Sequence, residues 1–274
     1  MSYQALSSRI NELPRIKSLL QELLEMVNRD QIDFGELAKK MAMDQVLLAR
    51  VLRMANSAQF GGVKGVATIN EAIVRVGIGA IRNLISSSIL AATFPKLDTL
   101  DVNDYWVRTF EVATIASVVA KDVKVDPNEA FIAGVLHNIG ELMIHSLEPE
   151  KALEISQHVA SGRNAVEAQR QVLGTDAQQL GAALAESWKF PDQLVDAIAN
   201  VNHPAKALES KALACVLFLA RDLDQNWDDL KGEAEQQGYL SSNKAAGALC
   251  VSSELACQVA QVRGQGREMA QQLF

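Results

Sequence analysis

The chain has 274 residues, 49% of them hydrophobic, so it can build a sizeable core as one large domain or two smaller ones. Its formal net charge of −7 and its pI near 5.2 argue against non-specific binding to nucleic acid, which needs a basic face. The 16 glycines and 6 prolines are few for this length and favour helices over a turn-rich β architecture.

Helical patterns fill the first 95 residues. An amphipathic stripe of leucines over residues 14–28 predicts the first helix, and Asp33 and Asp44 are at positions that can cap the next two. Two further patterns lie on either side of Gly77, where the chain can turn without a Cβ penalty. These short helices predict a compact α-helical subdomain.

A short polar connection follows at residues 94–101 and is the predicted boundary between two subdomains. The amino-terminal helical subdomain covers residues 1–95, and a larger helical subdomain covers residues 96–274. The larger subdomain begins with a long helical pattern over 105–123, and further helical patterns continue to the end of the chain. The predicted fold class is therefore all-α, a multi-helix bundle.

The most informative stretch is Phe131–Ile144, in which His137 and Asn138 form a polar pair among apolar residues at helical spacing. Apolar residues on all sides predict one helix that is buried over most of its surface. Asp126 and Pro127 upstream are typical of the cap and first residue of this helix. Because a buried polar pair costs free energy unless it is hydrogen-bonded, we expect a protein partner or a ligand beside it.

The segment around this pair, GVLHNIGEL, resembles the HD superfamily of metal-dependent phosphohydrolases and, more closely, the HDOD (HD-related output domain) family of regulatory relatives. The segment ARVLRMANSAQFG, followed by TINEAIVRVGIGAIRNL, resembles the amino-terminal part of the HDOD family, which the hydrolases generally lack. A third similarity to the HDOD family lies in the segments GTDAQQLGAALAESWKFPDQLVDAI and VNHP. The resemblance covers roughly residues 13–204 and implies an HD-like helical bundle.

Several positions depart from the metal-binding pattern that the resemblance implies. Asn138 replaces the Asp after which the superfamily is named, Arg108 stands at the position of an upstream His, and Ala177 at that of a downstream His. A two-metal phosphohydrolase needs several His ligands and a carboxylate, and a guanidinium at Arg108 raises the cost of placing a cation nearby. We therefore expect no catalytic residue, no bound metal and no cofactor.

Two interpretations of this site stay open. In one, the former metal cavity binds an anionic ligand or a nucleotide through Arg108, His137, Asn138 and His203. In the other, these four side chains hydrogen-bond to one another and to backbone carbonyls and have a structural role.

The resemblance implies a non-catalytic regulatory module of bacterial signal transduction that acts through signalling proteins, through homo-oligomers or through a bound small molecule. The alternative is a metal-dependent phosphohydrolase or phosphodiesterase with a divergent ligand set, which would use His137, His203 and one of Asp104, Asp122 and Asp176. Neither nucleic acid nor a membrane is an expected partner.

Other side chains with ligand chemistry are expected to be structural or solvated. Cys215, Cys250 and Cys257 are odd in number and lack a close CxxC pair, so we expect reduced thiols in the core. His145 and His158 are expected at the surface. With no apolar signal core at the N-terminus and no uninterrupted apolar run of about 20 residues, the sequence predicts a soluble, cytoplasmic protein.

Overall fold

The computed structural model contains helices and short 3-10 turns, with no strand in the described residues, which confirms the all-α class. The described residues are 6, 8–9, 18–27, 29, 31–56, 60, 66–93, 97–188 and 190–273.

The chain forms two compact units. The smaller unit comprises Pro14–Pro95 and Gln271–Phe274, and the larger comprises Met1–Leu13 and Lys96–Ala270. The chain therefore passes between the units three times, at residues 13–14, 95–96 and 270–271, whereas the sequence predicts a single boundary at residues 94–101.

Helices in the described part of the smaller unit begin where the capping residues predict. Their bounds are α1 (Ser18–Val27), α2 (Phe34–Met41), α3 (Gln45–Ala55) and α4 (Ile69–Thr93). Asp33 accepts a hydrogen bond from the backbone N–H of Glu36 at 2.9 Å. Asp44 does the same for Leu47 at 3.0 Å. Gly77, with φ of 82° and ψ of 160°, breaks the helical backbone inside α4, so the predicted turn is present.

Asn56 joins the end of α3 to the chain that enters α4. Its Nδ2 donates to the carbonyl oxygens of Leu52 at 2.8 Å and Val66 at 2.9 Å. Its Oδ1 accepts the N–H of Val66 at 2.8 Å. These three bonds give Asn56 a local, helix-terminating role; the neighbouring Ser57 lies outside the described residues.

Helices of the larger unit pack around one central helix, α5, which contacts α6, α12 and α15. The bounds are α5 (Val102–Asp122), α6 (Pro127–Leu136), α7 (Ile139–Leu147), α8 (Pro149–Ala160), α9 (Ala165–Leu173), α10 (Ala177–Ser187), α11 (Asp192–Ala199), α12 (Lys211–Asn226), α13 (Glu233–Ser242), α14 (Lys244–Leu249), α15 (Leu255–Val262) and α16 (Gln265–Leu273). Trp106 and Phe110 on α5 are buried and stack with ring centroids 5.5 Å apart. A Cβ at Gly134 of α6 would lie 2.4 Å from the Cα of Ala113, so only glycine permits this approach to α5.

The expectation of one continuous helix through His137 and Asn138 is wrong. The helix that Asp126 caps ends at Leu136, and α7 begins at Ile139. The Nδ1 of His137 bonds to the carbonyl oxygen of Gly134, which a continuous helix would use for the N–H of residue 138. Asn138 accordingly has φ of −119° and ψ of 11°. The polar pair therefore forms a break between two helices.

The segment Pro127–Leu147, which contains this break, is long and apolar enough by composition to cross a membrane. Its apolar residues are interrupted by polar ones, so it is not an uninterrupted apolar run. In the structure, 78% of its most apolar window is buried within the protein. Such burial is typical of a core helix.

Two expectations for side chains outside the site are also wrong. His145 is buried, with Nδ1 2.8 Å from the Thr99 hydroxyl, and burial lowers its pKa. Cys250 and Cys257 are exposed and only Cys215 is partly buried, although all three thiols are free. His145 lies on the face of α7 that packs into the core, whereas Cys250 ends α14 and Cys257 lies on the exposed face of α15.

Candidate functional site

A cavity of about 300 Å³ lies in the larger unit, at the start of α5, the break between α6 and α7, and the end of α12. Its polar lining includes Asp101, Asp104, Tyr105, Arg108, Thr109, His137, Asn138, Glu141, Arg221 and Asp224. We call this space the HN cavity, after His137 and Asn138.

Three of the four side chains that the sequence singles out meet at the HN cavity. Arg108, His137 and Asn138 line it, whereas His203 is exposed and does not. The neighbour of His203, Asn202, reaches the lining instead, because its Oδ1 accepts a hydrogen bond from Arg221 Nη1 at 2.7 Å.

Of the three acidic candidates, only Asp104 lines the cavity. Asp122 accepts a hydrogen bond from the N–H of Ser252 at 2.7 Å, far along the chain. Asp176 caps α10 and lies 2.7 Å from Arg170. Both carboxylates therefore have structural partners.

His137 is held as a neutral imidazole. A carbonyl oxygen can only accept, so Nδ1 donates its proton to Gly134, and Nε2 keeps its lone pair. Burial, together with the positive charge of Arg221, lowers the pKa of His137 to about 3. Within the described chain, Nε2 has no hydrogen-bond partner, and the small exposed part of the ring faces the HN cavity.

Glu141 is the carboxylate nearest to the polar pair. Asn138 donates a hydrogen bond from Nδ2 to Glu141 Oε2. Burial raises the pKa of Glu141, and the bond from Asn138 and the charges of Arg221 and Arg108 oppose this rise. The other carboxylate oxygen accepts no hydrogen bond from the described residues.

Two guanidinium groups belong to the lining, in different environments. Arg108 is 75% exposed and pairs through Nε with Asp104 at 3.1 Å. Arg221 is more enclosed: burial lowers its pKa, and the charge of Glu141 opposes this. Because the charge of Arg221 acts on both His137 and Glu141, the guanidinium lies among the groups that would ligate a metal.

Tyr105 adds a buried hydroxyl. The residue is 5% exposed, and its hydroxyl has no hydrogen-bond partner within the described residues. Burial, together with the charge of Glu141, raises the pKa of the phenol. The Thr109 hydroxyl opposes this rise but lies outside hydrogen-bond geometry.

A closed network of charges continues from one wall of the cavity. Arg263 donates to Asp224 at 2.8 Å and Asp228 at 2.9 Å and lies 3.4 Å from Glu111. The carboxylate of Glu111 also accepts the backbone N–H groups of Gly264 at 2.8 Å and Gly266 at 2.9 Å. We call Glu111, Asp224, Asp228 and Arg263 the Glu111 network.

The sequence did not single out Arg221, Tyr105 or Asp224 as site residues. Arg221 ends the apolar run of α12, and an arginine directly after eight apolar residues, 213–220, is the signal that could have identified it. Glu141 lies in the quoted segment GVLHNIGEL, four residues after His137. Tyr105 and Asp224 have no comparable signal in the sequence.

The donor set does not fit a resident metal ion. HD-type chemistry needs several His ligands and a carboxylate, but His137 is the one imidazole of the lining. In the described part of the chain, no three His, Cys, Asp or Glu side chains are grouped so that they could hold a metal. The guanidinium of Arg221 adds a positive charge at the same place.

An all-α bundle with His137 and Asn138 at a helix break beside a polar cavity agrees with the HD-like helical bundle that the resemblance implies. The chain belongs to the HDOD domain family, whose model matches residues 13–204.

Solved structures agree with this assignment. The chain is 39% identical to a "putative phosphohydrolase" from Shewanella amazonensis SB2B, with a TM-score of 0.88 and 98% of each chain covered. An HDOD domain protein of unknown function from Geobacter sulfurreducens has the same fold, at 20% identity and a TM-score of 0.82, over 98% of this chain and 97% of that one.

A curated relative is longer than this chain. An uncharacterized protein from Treponema pallidum is 25% identical over 221 residues, which are 79% of this chain and 43% of the Treponema protein. The chain thus spans less than half the length of that relative.

Proposed function

We propose that the protein is a non-catalytic regulatory module of cytoplasmic bacterial signal transduction that acts through protein partners or a bound small molecule. Membership of the HDOD family supports a regulatory role within the HD superfamily. The name of the Shewanella amazonensis relative, a phosphohydrolase, supports descent from a hydrolase fold.

One observation carries the proposal: Arg221 lines the same cavity as His137 and Glu141. Its charge acts on His137 and Glu141, the two side chains of the lining best suited to ligate an ion. A fixed cation disfavours a divalent ion within a few ångströms, more strongly in a partly buried site than in water. Arg221 therefore supplies positive charge without the Lewis acidity that phosphate hydrolysis requires.

The first test is the metal content of the protein purified without chelator or metal-affinity resin, measured by elemental mass spectrometry. We expect well below one atom of iron, manganese, nickel or zinc per chain. The same preparation, with added manganese or iron, is then assayed against phosphomonoesters and cyclic dinucleotides beside His137→Gln. Equal background rates are expected for both proteins.

A second candidate, a metal-dependent phosphohydrolase with a divergent ligand set, is favoured by the state of His137. A neutral imidazole with a free Nε2 is the form that ligates metals, and Asp104, Glu141 and Asp224 line the same cavity. Near-stoichiometric metal, together with turnover that His137→Gln abolishes, would establish this candidate and exclude the regulatory proposal.

A further inference from the structure

We infer that the HN cavity binds a small, phosphate-free metabolite that carries a cationic amine and a separate hydrogen-bond acceptor. The inference rests on the proposed function, because it names the ligand class of the same non-catalytic site. It differs from the anionic or nucleotide ligand that the sequence suggests.

The first observation is an open acceptor in a buried place. His137 is 6% exposed, its Nδ1 is bonded to Gly134, and its Nε2 faces the HN cavity without a hydrogen bond from the described residues. Although the ring is buried, Nε2 itself opens onto the cavity, where a group that enters can bond to it. Since this nitrogen is an acceptor, the missing partner must be a donor.

The second observation is that carboxylate oxygens beside His137 are also open. Glu141 uses Oε2 for Asn138, and Asp224 uses Oδ1 for Arg263. The second oxygen of each carboxylate accepts no hydrogen bond from the described chain, and both side chains line the cavity. Three open acceptors on one cavity select a group with several N–H donors, as an ammonium has.

The third observation is the sign of the charge. The lining contains four carboxylates, Asp101, Asp104, Glu141 and Asp224, and two guanidinium groups. Because Arg263 pairs with Asp224, the other three carboxylates exceed the two lining guanidinium groups by one charge while Glu141 is ionised. A phosphate dianion would add to this excess, whereas an ammonium offsets it and carries half the charge by which Arg221 repels a divalent metal ion.

The remaining N–H groups of Arg221 and Arg108 define the other end of the ligand. Arg221 uses Nη1 for Asn202, and Arg108 uses Nε for Asp104, so each guanidinium keeps further donors. A hydroxyl, carbonyl or carboxylate oxygen of the ligand can accept from them. The cavity volume of about 300 Å³ is at the lower end for ligand pockets, which limits the ligand to a small metabolite.

The test uses three probes of equal length, namely 4-aminobutan-1-ol, its uncharged isostere butane-1,4-diol, and the anion 4-hydroxybutyrate, with AMP as the nucleotide probe. The full chain is labelled with 15N-histidine, and the Nε2 resonance of His137, one of four histidines, is assigned by its loss in His137→Gln. All titrations are made at a constant ionic strength of about 0.15 M, so that charge screening is equal.

We expect 4-aminobutan-1-ol to shift the His137 Nε2 resonance and the diol, the anion and AMP to leave it unchanged. Glu141→Gln should raise the Kd of the amine about tenfold, because one charge-assisted hydrogen bond is lost. The matched control is Glu154→Gln, the same change on an exposed carboxylate of α8 outside the cavity, with an unchanged Kd.

A shift with the anion or AMP and none with the amine would overturn the inference. So would the absence of a shift with every probe, or an equal Kd for Glu141→Gln and the native chain. These outcomes can be told apart from those of the metal and turnover assays. If the protein is metal-free and inactive but does not bind the amine, the ligand inference fails and the proposed regulatory function does not.

Discussion

The Glu111 network and the HN cavity are built from the same kinds of side chain and share Asp224, but they differ in how many bonding positions are filled. In the network, both carboxylate oxygens of Glu111 accept backbone N–H groups, and Arg263 contacts three carboxylates. In the cavity, His137 Nε2 and one oxygen of Glu141 are open within the described chain.

This difference separates a structural role from a binding role. A buried charge with all its bonds made stabilises the local fold only if its partners stay in place, and its loss leaves the partners uncompensated. A buried group with an unfilled hydrogen-bonding position destabilises the protein in the absence of a ligand. A ligand that fills this position removes the cost when it binds. We expect substitutions in the network to lower stability and substitutions in the cavity to change its pH dependence or its ligand binding.

The largest expected effect concerns His137 and pH. Its folded pKa is about 3, against an ordinary value near 6.5 in the unfolded chain. Between these values the unfolded chain binds a proton that the folded chain does not, so the contribution of His137 to the free energy of unfolding falls as pH falls. The loss amounts to about 3 kcal/mol between pH 7 and pH 4.

Urea unfolding of the native chain and of His137→Gln at several pH values measures this loss. Between pH 7 and pH 4, the free energy of unfolding of His137→Gln should fall by about 3 kcal/mol less than that of the native chain. The raised pKa of Glu141 acts in the opposite direction, since its contribution is lost as pH rises, but both proteins retain Glu141. Parallel pH profiles would mean that His137 is not buried as a neutral imidazole.

The second largest effect is expected in the Glu111 network. Glu111→Gln keeps the shape of the side chain but removes its charge and one acceptor, which leaves Gly264 or Gly266 with an unpaired buried N–H. We expect the free energy of unfolding to fall by about 2 kcal/mol. Urea unfolding at pH 7 measures it, and an unchanged midpoint would show that the network is not closed.

Local rules in the sequence predicted much of the smaller unit and the starts of helices. Asp33, Asp44 and Asp126 cap helices because a capping carboxylate acts on N–H groups only two or three residues away. The turn at Gly77 needs only the conformational freedom of glycine. Such features depend only on residues that are close in the sequence, so they can be predicted from the sequence alone.

The break between α6 and α7 depends on contacts that the pattern of apolar residues does not contain. A side-chain bond from His137 to Gly134 interrupts the helix. A Cβ at Gly140 would lie 1.8 Å from the carbonyl oxygen of Ala177, so the start of α7 is fixed by a helix far along the chain. Ala177 was considered only as a missing metal ligand.

For the site, the resemblance identified the residues at motif positions, and three-dimensional packing added the rest. His137 and Asn138 belong to a quoted motif, Arg108 stands at the position that the resemblance gives to an upstream His, and all three meet at the HN cavity. Arg221 and Tyr105 lie on helices with ordinary apolar patterns, so their place in the lining depends on how α5 and α12 pack. Ligand binding by the residues of the motifs stays a prediction.

A smaller effect, of opposite sign, is expected for Tyr105. Its hydroxyl is buried without a partner in the described chain. Tyr105→Phe removes this hydroxyl and keeps the ring, so we expect the free energy of unfolding to rise by about 1 kcal/mol. Urea unfolding provides the value, with Tyr239→Phe as the matched control, because the Tyr239 hydroxyl donates to Asp222 at 2.6 Å and its loss should destabilise. Destabilisation by Tyr105→Phe would show that its hydroxyl has a partner.

The smallest effect is expected at Asp104, where the cavity reaches solvent. Asp104 pairs with Arg108, but the two side chains are 54% and 75% exposed, so water screens their attraction. Asp104→Asn should therefore change the free energy of unfolding by no more than about 0.5 kcal/mol. This is the same carboxylate-to-amide change as Glu111→Gln, measured in the same urea series. If Asp104→Asn lowered the free energy of unfolding as much as Glu111→Gln, an exposed ion pair would stabilise the chain as much as the buried network does. The burial of hydrogen-bonded charges would then not be what distinguishes the network from the cavity.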